Sequence, residues 1–161
     1  MALSPLTALS PLDGRYHHRV AALRDTFSEL ALIRFRVRIE IEWLKTLAAE
    51  PAITEVPPFS PPTLGQLEEV AAKFSEADGE SVKRTEARIN HDVKAVEYFL
   101  REKLAGNREV MKVAEFLHFA CTSEDINNLA HALMLKRARD AVMLPALDKV
   151  IEKLAGLTAE L

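Results

Sequence analysis

RFRVRIEIEW, residues 34–43, can be read in two ways, and the choice decides the fold. Charged and apolar residues alternate from Arg34 to Trp43, which in isolation is the pattern of a half-buried strand. The wider window contradicts that reading. Leu30, Ile33, Val37, Ile41, Leu44 and Ala48 step by three or four, and Leu32, Phe35, Ile39 and Trp43 form a second stripe at the same period. No turn residue interrupts the run from Leu23 to Glu50, which is far longer than a typical strand. The stretch therefore predicts one helix over Leu23–Glu50 with two buried faces.

Outward from that helix the same period recurs. PAITEVPPFSPP, 51–62, holds five of the eight prolines and reads as a connector. A helix is predicted from about Thr63 to Phe74, closing near Asp78-Gly79. The next spans roughly Ser81–Leu104, with Val93, Val96, Leu100 and Leu104 on one face and Gly106-Asn107 as its stop. A short helix covers Glu109–Phe119. Thr122 followed by Asp125 has the form of a capping box and opens a long helix, whose stripe begins at Ile126, Leu129, Ala130 and Leu133. Pro145 should bend that helix, after which Leu147, Val150, Ile151, Leu154 and Leu157 resume the stripe. The expected class is all-α, with an N-terminal helical domain over 1–120 and the start of a long-helix bundle over 121–161. Leu161 falls inside the last pattern without a C-cap, as in a piece of a longer protein.

Composition narrows the chemistry. The five glycines stand at 14, 65, 79, 106 and 156, too scattered for a Walker A loop, a GxGxxG fingerprint or a GxSxG elbow. Any phosphate or carboxylate must then be held by side chains and helix N-termini. Cys121 is the single cysteine, so an internal disulfide and a CxxC site are excluded and a reducing, cytoplasmic setting fits. A net charge of -3 argues against a nucleic-acid binder. Neither a signal peptide nor a membrane span is evident, so no membrane partner is expected. The histidines at 17, 18, 91, 118 and 131 have no HExxH spacing, and no metal is expected.

Three segments concentrate reactive side chains. In Asp13-Gly14-Arg15-Tyr16, arginine supplies a planar fork for phosphate or carboxylate and tyrosine a hydroxyl, although spacing alone favours a solvated arm with a turn. In Asn90-His91-Asp92, the amide can bind a ligand edge, the imidazole can donate to a carboxylate or relay a proton, and Asp92 can fix the ring or cap a turn; the plainer reading of the triplet is a break or cap within a surface helix. In His118–Asp125, HFACTSED, Thr122 and Ser123 place two hydroxyls at a helix N-terminus, which can receive an anion, although the residues taken alone favour a plain cap. Cys121 reads as a small apolar residue and His131 as a core histidine.

Taken together, SPLDGRY, NHDVKAVEYFL and HFACTSEDINNLAHALML, in this order, resemble the adenylosuccinate lyase family of the fumarase/aspartase superfamily, in its bacterial branch with a long N-terminal arm. The likeness covers essentially the whole chain. Asp125-Ile126-Asn127-Asn128 departs from the DIxDT-like ending of many members and marks a subgroup. The resemblance implies β-elimination of fumarate from adenylosuccinate and from succinyl-aminoimidazole carboxamide ribotide, without organic cofactor or metal, in a homotetramer with shared sites. It also implies that Arg15 and Tyr16 grip the substrate phosphate. Asn90, His91 and Asp92 form a substrate-binding strip with His91 near the reaction centre, and Thr122 and Ser123 meet the succinyl end. The family's general acid, a histidine in a TH motif, and its general base, a serine on a GSSxMPxKxN loop, do not occur in these residues. The 161 residues alone are therefore expected to be inactive. Argininosuccinate lyase, a fumarase-like enzyme and a non-catalytic helical oligomerisation module remain as alternatives.

Overall fold

The computed structural model describes residues 4–159, which are mostly helical, with no strand among them. The helix containing RFRVRIEIEW, α1, runs Glu29–Ala49. Both predicted stripes turn inward: Ile33, Val37, Ile41 and Leu44 are buried, Ile39 is buried, and Leu32, Phe35 and Trp43 are partly so. Its start differs from the prediction. Ala21–Leu23 is a 3-10 turn, Arg24–Phe27 a single α turn, and Ser28 is extended at ψ 162°. The Ser28 hydroxyl accepts from the Ala31 N–H at 3.2 Å, so a serine cap, which apolar spacing does not register, sets the boundary.

After the proline connector, α2 covers Pro61–Ala72 with prolines in its first turn, where a missing N–H costs nothing. A capping box of Ser75 and Asp78 starts α3, Glu76–Ile89. Gly79, expected to end a helix, lies inside this one. The single helix expected over Ser81–Leu104 is two: α3, and α4 over Asp92–Lys103. Asn90 stands in left-handed backbone at φ 55° between them. The apolar stripe of α4 continues into Leu104 and hides the break, whereas asparagine is among the few residues that adopt this conformation at low cost. Asn107 caps the short α5, Arg108–Lys112, through the Val110 N–H at 3.0 Å. A 3-10 turn, Ala114–Phe116, follows.

The next helix, α6, spans Ser123–Ala138. A π turn over Arg139–Met143 leads into α7, Leu144–Ala159. Pro145 offers no N–H to the preceding turn and crowds its carbonyls; the wider π turn accommodates both, and the helix continues as predicted. No described helix is long and apolar enough to cross a membrane.

The chain divides into two compact units, one of Met1–Ala31 with Met134–Leu161 and one of Leu32–Leu133. Within the second, Ile39 of α1, Val93 of α4, and Ile126 and Ala130 of α6 form a buried cluster. Leu32, Phe35, Cys121 and Leu133 pack against it. This cluster fixes the ends of α4 and α6 against the middle of α1.

Candidate active site

The five charges of RFRVRIEIEW separate once the segment is a helix. Arg38 and Glu42 face outward and pair at 3.1 Å. Arg36 and Glu40, one turn apart, point into the protein and are only 5% and 1% exposed. Each holds one segment, or more, singled out by its reactive side chains.

At the junction of α3 and α4, Asn90 caps α3 and its N–H donates to the Glu86 carbonyl at 2.7 Å. His91 caps α4: its Nδ1 accepts from the Lys94 N–H at 3.1 Å. Because Nδ1 is the acceptor, the ring hydrogen sits on Nε2, and the half-exposed imidazole offers a donor. Asp92 opens α4. Its Oδ1 accepts from the Val93 N–H at 2.9 Å, and its Oδ2 lies 2.7 Å from Arg36 Nη2. Burial raises its pKa, but the Val93 hydrogen bond and the Arg36 charge outweigh that and hold the carboxyl below its ordinary value.

The predicted capping box at the start of α6 is present. The Thr122 N–H donates to Asp125 Oδ2 at 2.7 Å and its hydroxyl to the same oxygen at 3.0 Å, while the Asp125 N–H donates to Thr122 Oγ1 at 3.4 Å. These bonds keep the Asp125 carboxyl below its usual pKa. Thr122 is therefore occupied with its own helix. Ser123, partly buried beside it, makes no side-chain hydrogen bond among the described residues.

The turn before α6 is strained. His118 and Ala120 have φ of 60° and 57°, conformations that non-glycine residues adopt at a cost. Two bonds to α1 hold it: His118 Nδ1 to Glu40 Oε1 at 2.6 Å, and the Trp43 indole N–H to the Phe119 carbonyl at 2.9 Å. Cys121 is partly buried, and desolvation, then the carboxylates of Glu40 and Asp125, push its thiol pKa up. That suits the apolar role read from the sequence, not a nucleophile.

Arg36 joins the two halves. Besides Asp92 it reaches α6, where its Nε–H donates to Asn127 Oδ1 at 2.9 Å. The strip at 90–92 and the helix start at 122–127 are thus brought together through one guanidinium. Arg15 and Tyr16 belong to the other compact unit. Both are exposed there, with the Arg15 guanidinium carbon 5.7 Å from the Tyr16 ring centre. Gly14 before them is buried. A Cβ on it would come within 2.8 Å of the Pro5 carbonyl oxygen, so the fold of the arm requires glycine there.

Sequence reasoning missed Arg36, Glu40 and Asn127. The available signal was a helix with two apolar faces carrying five central charges, which leaves too little solvent-facing surface for all of them.

Residues 14–160 match the family model described as Lyase. The chain belongs to the lyase family. It is 56% identical to the adenylosuccinate lyase of Haemophilus influenzae over 160 residues, 99% of this chain and 35% of that protein. Against the adenylosuccinate lyases of Escherichia coli K12 and Vibrio cholerae the identities are 55% and 54%, with the same coverage. The chain thus spans about a third of the length of the curated relatives it matches.

Proposed function

We propose that these residues supply part of the substrate site of an adenylosuccinate lyase. The observation that carries this reading is the 54–56% identity to adenylosuccinate lyases across 99% of the chain. In the reaction a base removes a proton β to the departing nitrogen, the carbanion is stabilised through the adjacent carboxylate, and an acid protonates the nitrogen. Adenylosuccinate yields AMP and fumarate, and the succinyl-carboxamide ribotide yields its carboxamide and fumarate. These residues bind and orient, and the acid and base come from elsewhere in the enzyme, so the 161 residues alone have no lyase activity.

Arg15 and Tyr16 hold the phosphate, a role that exposed donors on a glycine-anchored arm can fill without a phosphate loop. His91 presents Nε2–H toward the reaction centre. Asn90 lines the substrate beside it, and Asp92 binds through its remaining lone pairs while it anchors the strip. Ser123, whose hydroxyl is uncommitted, meets a succinyl carboxylate at the N-terminus of α6, with Thr122 ordering that terminus. Residues 1–120 form the N-terminal helical domain, and 121–161 open a bundle that assembles as a homotetramer in the cytoplasm.

The test is a graft. The matched segment of the Escherichia coli relative is replaced by this sequence and expressed in cells deleted for their own adenylosuccinate lyase. Growth without added purines supports the reading. No growth with a folded, well-expressed graft contradicts it, and release of fumarate from argininosuccinate or malate instead would assign another lyase of the superfamily.

A further inference from the structure

Arg36 is buried on α1, yet the partners described for its side chain both lie in segments that carry candidate site residues: Asp92 at 2.7 Å and Asn127 at 2.9 Å. We propose that Arg36 is a positioning residue that sets the substrate-binding strip at 90–92 and the start of α6 in register. The inference rests on the substrate site proposed above.

Packing alone does not call for a charge here. Ile39, Val93, Ile126 and Ala130 already bury α1, α4 and α6 against one another. Burying a guanidinium against a carboxylate that is itself 44% exposed adds little stability compared with a well-packed apolar side chain, because the arginine must be desolvated while its partner stays partly in water. What an arginine adds is direction. The rigid guanidinium fixes its two contacts at a set angle, which neither a lysine nor an apolar residue reproduces. Apolar contacts tolerate sliding, whereas two charge-assisted or polar bonds on one planar group do not.

The geometry carries that direction to the site. Asp92 is held at both oxygens, by Arg36 and by the Val93 N–H, so the first turn of α4 follows the guanidinium. His91 and Asn90 immediately precede it, as the cap of α4 and the left-handed residue that closes α3. Asn127 lies four residues after Ser123 on α6, one helical turn away. A displacement of Arg36 therefore moves the donor on His91 relative to the hydroxyl on Ser123.

Two readouts decide the matter. In the 161-residue chain, Arg36→Met is expected to raise amide hydrogen exchange in both 90–95 and 123–128 while α2 keeps its protection. In the grafted enzyme, Arg36→Met should raise KM for adenylosuccinate about tenfold or more, the scale of losing a charged hydrogen bond, with a smaller change in kcat. Arg36→Lys, which keeps one contact, should fall between. It also serves if the methionine variant does not fold, with the same two-segment rise in exchange and a KM above that of the parent. Unchanged KM, or a rise in exchange confined to one segment or spread over the whole chain, would overturn the proposal. If the unsubstituted graft releases no fumarate, the functional reading fails, while the exchange pattern still reports whether Arg36 couples the two segments.

Discussion

Glu40 Oε1 and His118 Nδ1 lie 2.6 Å apart, joining the middle of α1 to the strained turn before α6. The other Glu40 oxygen is buried without a hydrogen-bond partner among the described residues. His118 thus compensates only part of the desolvation of this carboxyl group, and the same contact holds a left-handed histidine in place. Burial raises the Glu40 pKa, the hydrogen bond and charge of His118 lower it, and the nearby Glu97 charge raises it, leaving a net increase.

That direction predicts a pH effect. The folded state binds the Glu40 proton more tightly than the unfolded chain, whose carboxyl titrates near 4.5, so this group's contribution to stability is lost as pH rises through the folded value. Glu40→Gln removes the titration and keeps an oxygen to accept from His118. Urea unfolding at several pH values between 5 and 8 should show the variant gaining on the parent as pH rises. A constant difference would count against the buried, raised carboxyl.

Thr122 tests cap against ligand. Thr122→Ala should cost about 1 kcal/mol of stability, the usual value of an N-cap, and Thr122→Ser should restore it. Ser123→Ala should leave stability within about 0.5 kcal/mol, as at sites without such features, but raise KM in the graft. Equal stability losses at both positions would contradict the division of labour between the hydroxyls.

Ala120 should accept glycine. Left-handed backbone costs a non-glycine residue roughly 1–2 kcal/mol, which offsets the extra unfolded-state entropy of glycine, so Ala120→Gly is expected to be neutral or stabilising. Ala95→Gly in the interior of α4 should instead cost about 1 kcal/mol or more. Thermal unfolding of the two variants separates them, and a clear loss at position 120 would argue against the strained turn.

Gly14→Ala drives a methyl group into the Pro5 carbonyl and should loosen the arm. Faster amide exchange at residues 7–20 with α4 unaffected is the predicted outcome, and unchanged exchange would mean the arm repacks freely.

Helical spacing was enough to resolve α1, because two apolar stripes at a period near 3.6 cannot fit a pleated strand. Thr122 and Asp125 announced the start of α6 by their own chemistry. The break at Asn90 was legible only in the residue types of Asn90-His91-Asp92, which suit a break or cap, and not in the spacing, since Val93, Val96 and Leu100 keep their period on both readings and one left-handed residue leaves no trace in it. Arg36 and Glu40 were hidden for a different reason. Alternation places them among Arg34, Arg38 and Glu42, and only the three-dimensional partners Asp92, Asn127 and His118 show which charges turn inward. The candidate site residues stood out by type, whereas the residues that hold their segments in place did not.

The most direct measurement is kcat/KM of the purified graft for adenylosuccinate against argininosuccinate, followed by fumarate release. Adenylosuccinate should be turned over within about tenfold of the Escherichia coli enzyme, a barrier change of roughly 1.4 kcal/mol, and argininosuccinate not detectably. A folded graft that turned over argininosuccinate as well, or released no fumarate from adenylosuccinate, would contradict the assignment of this substrate to these residues.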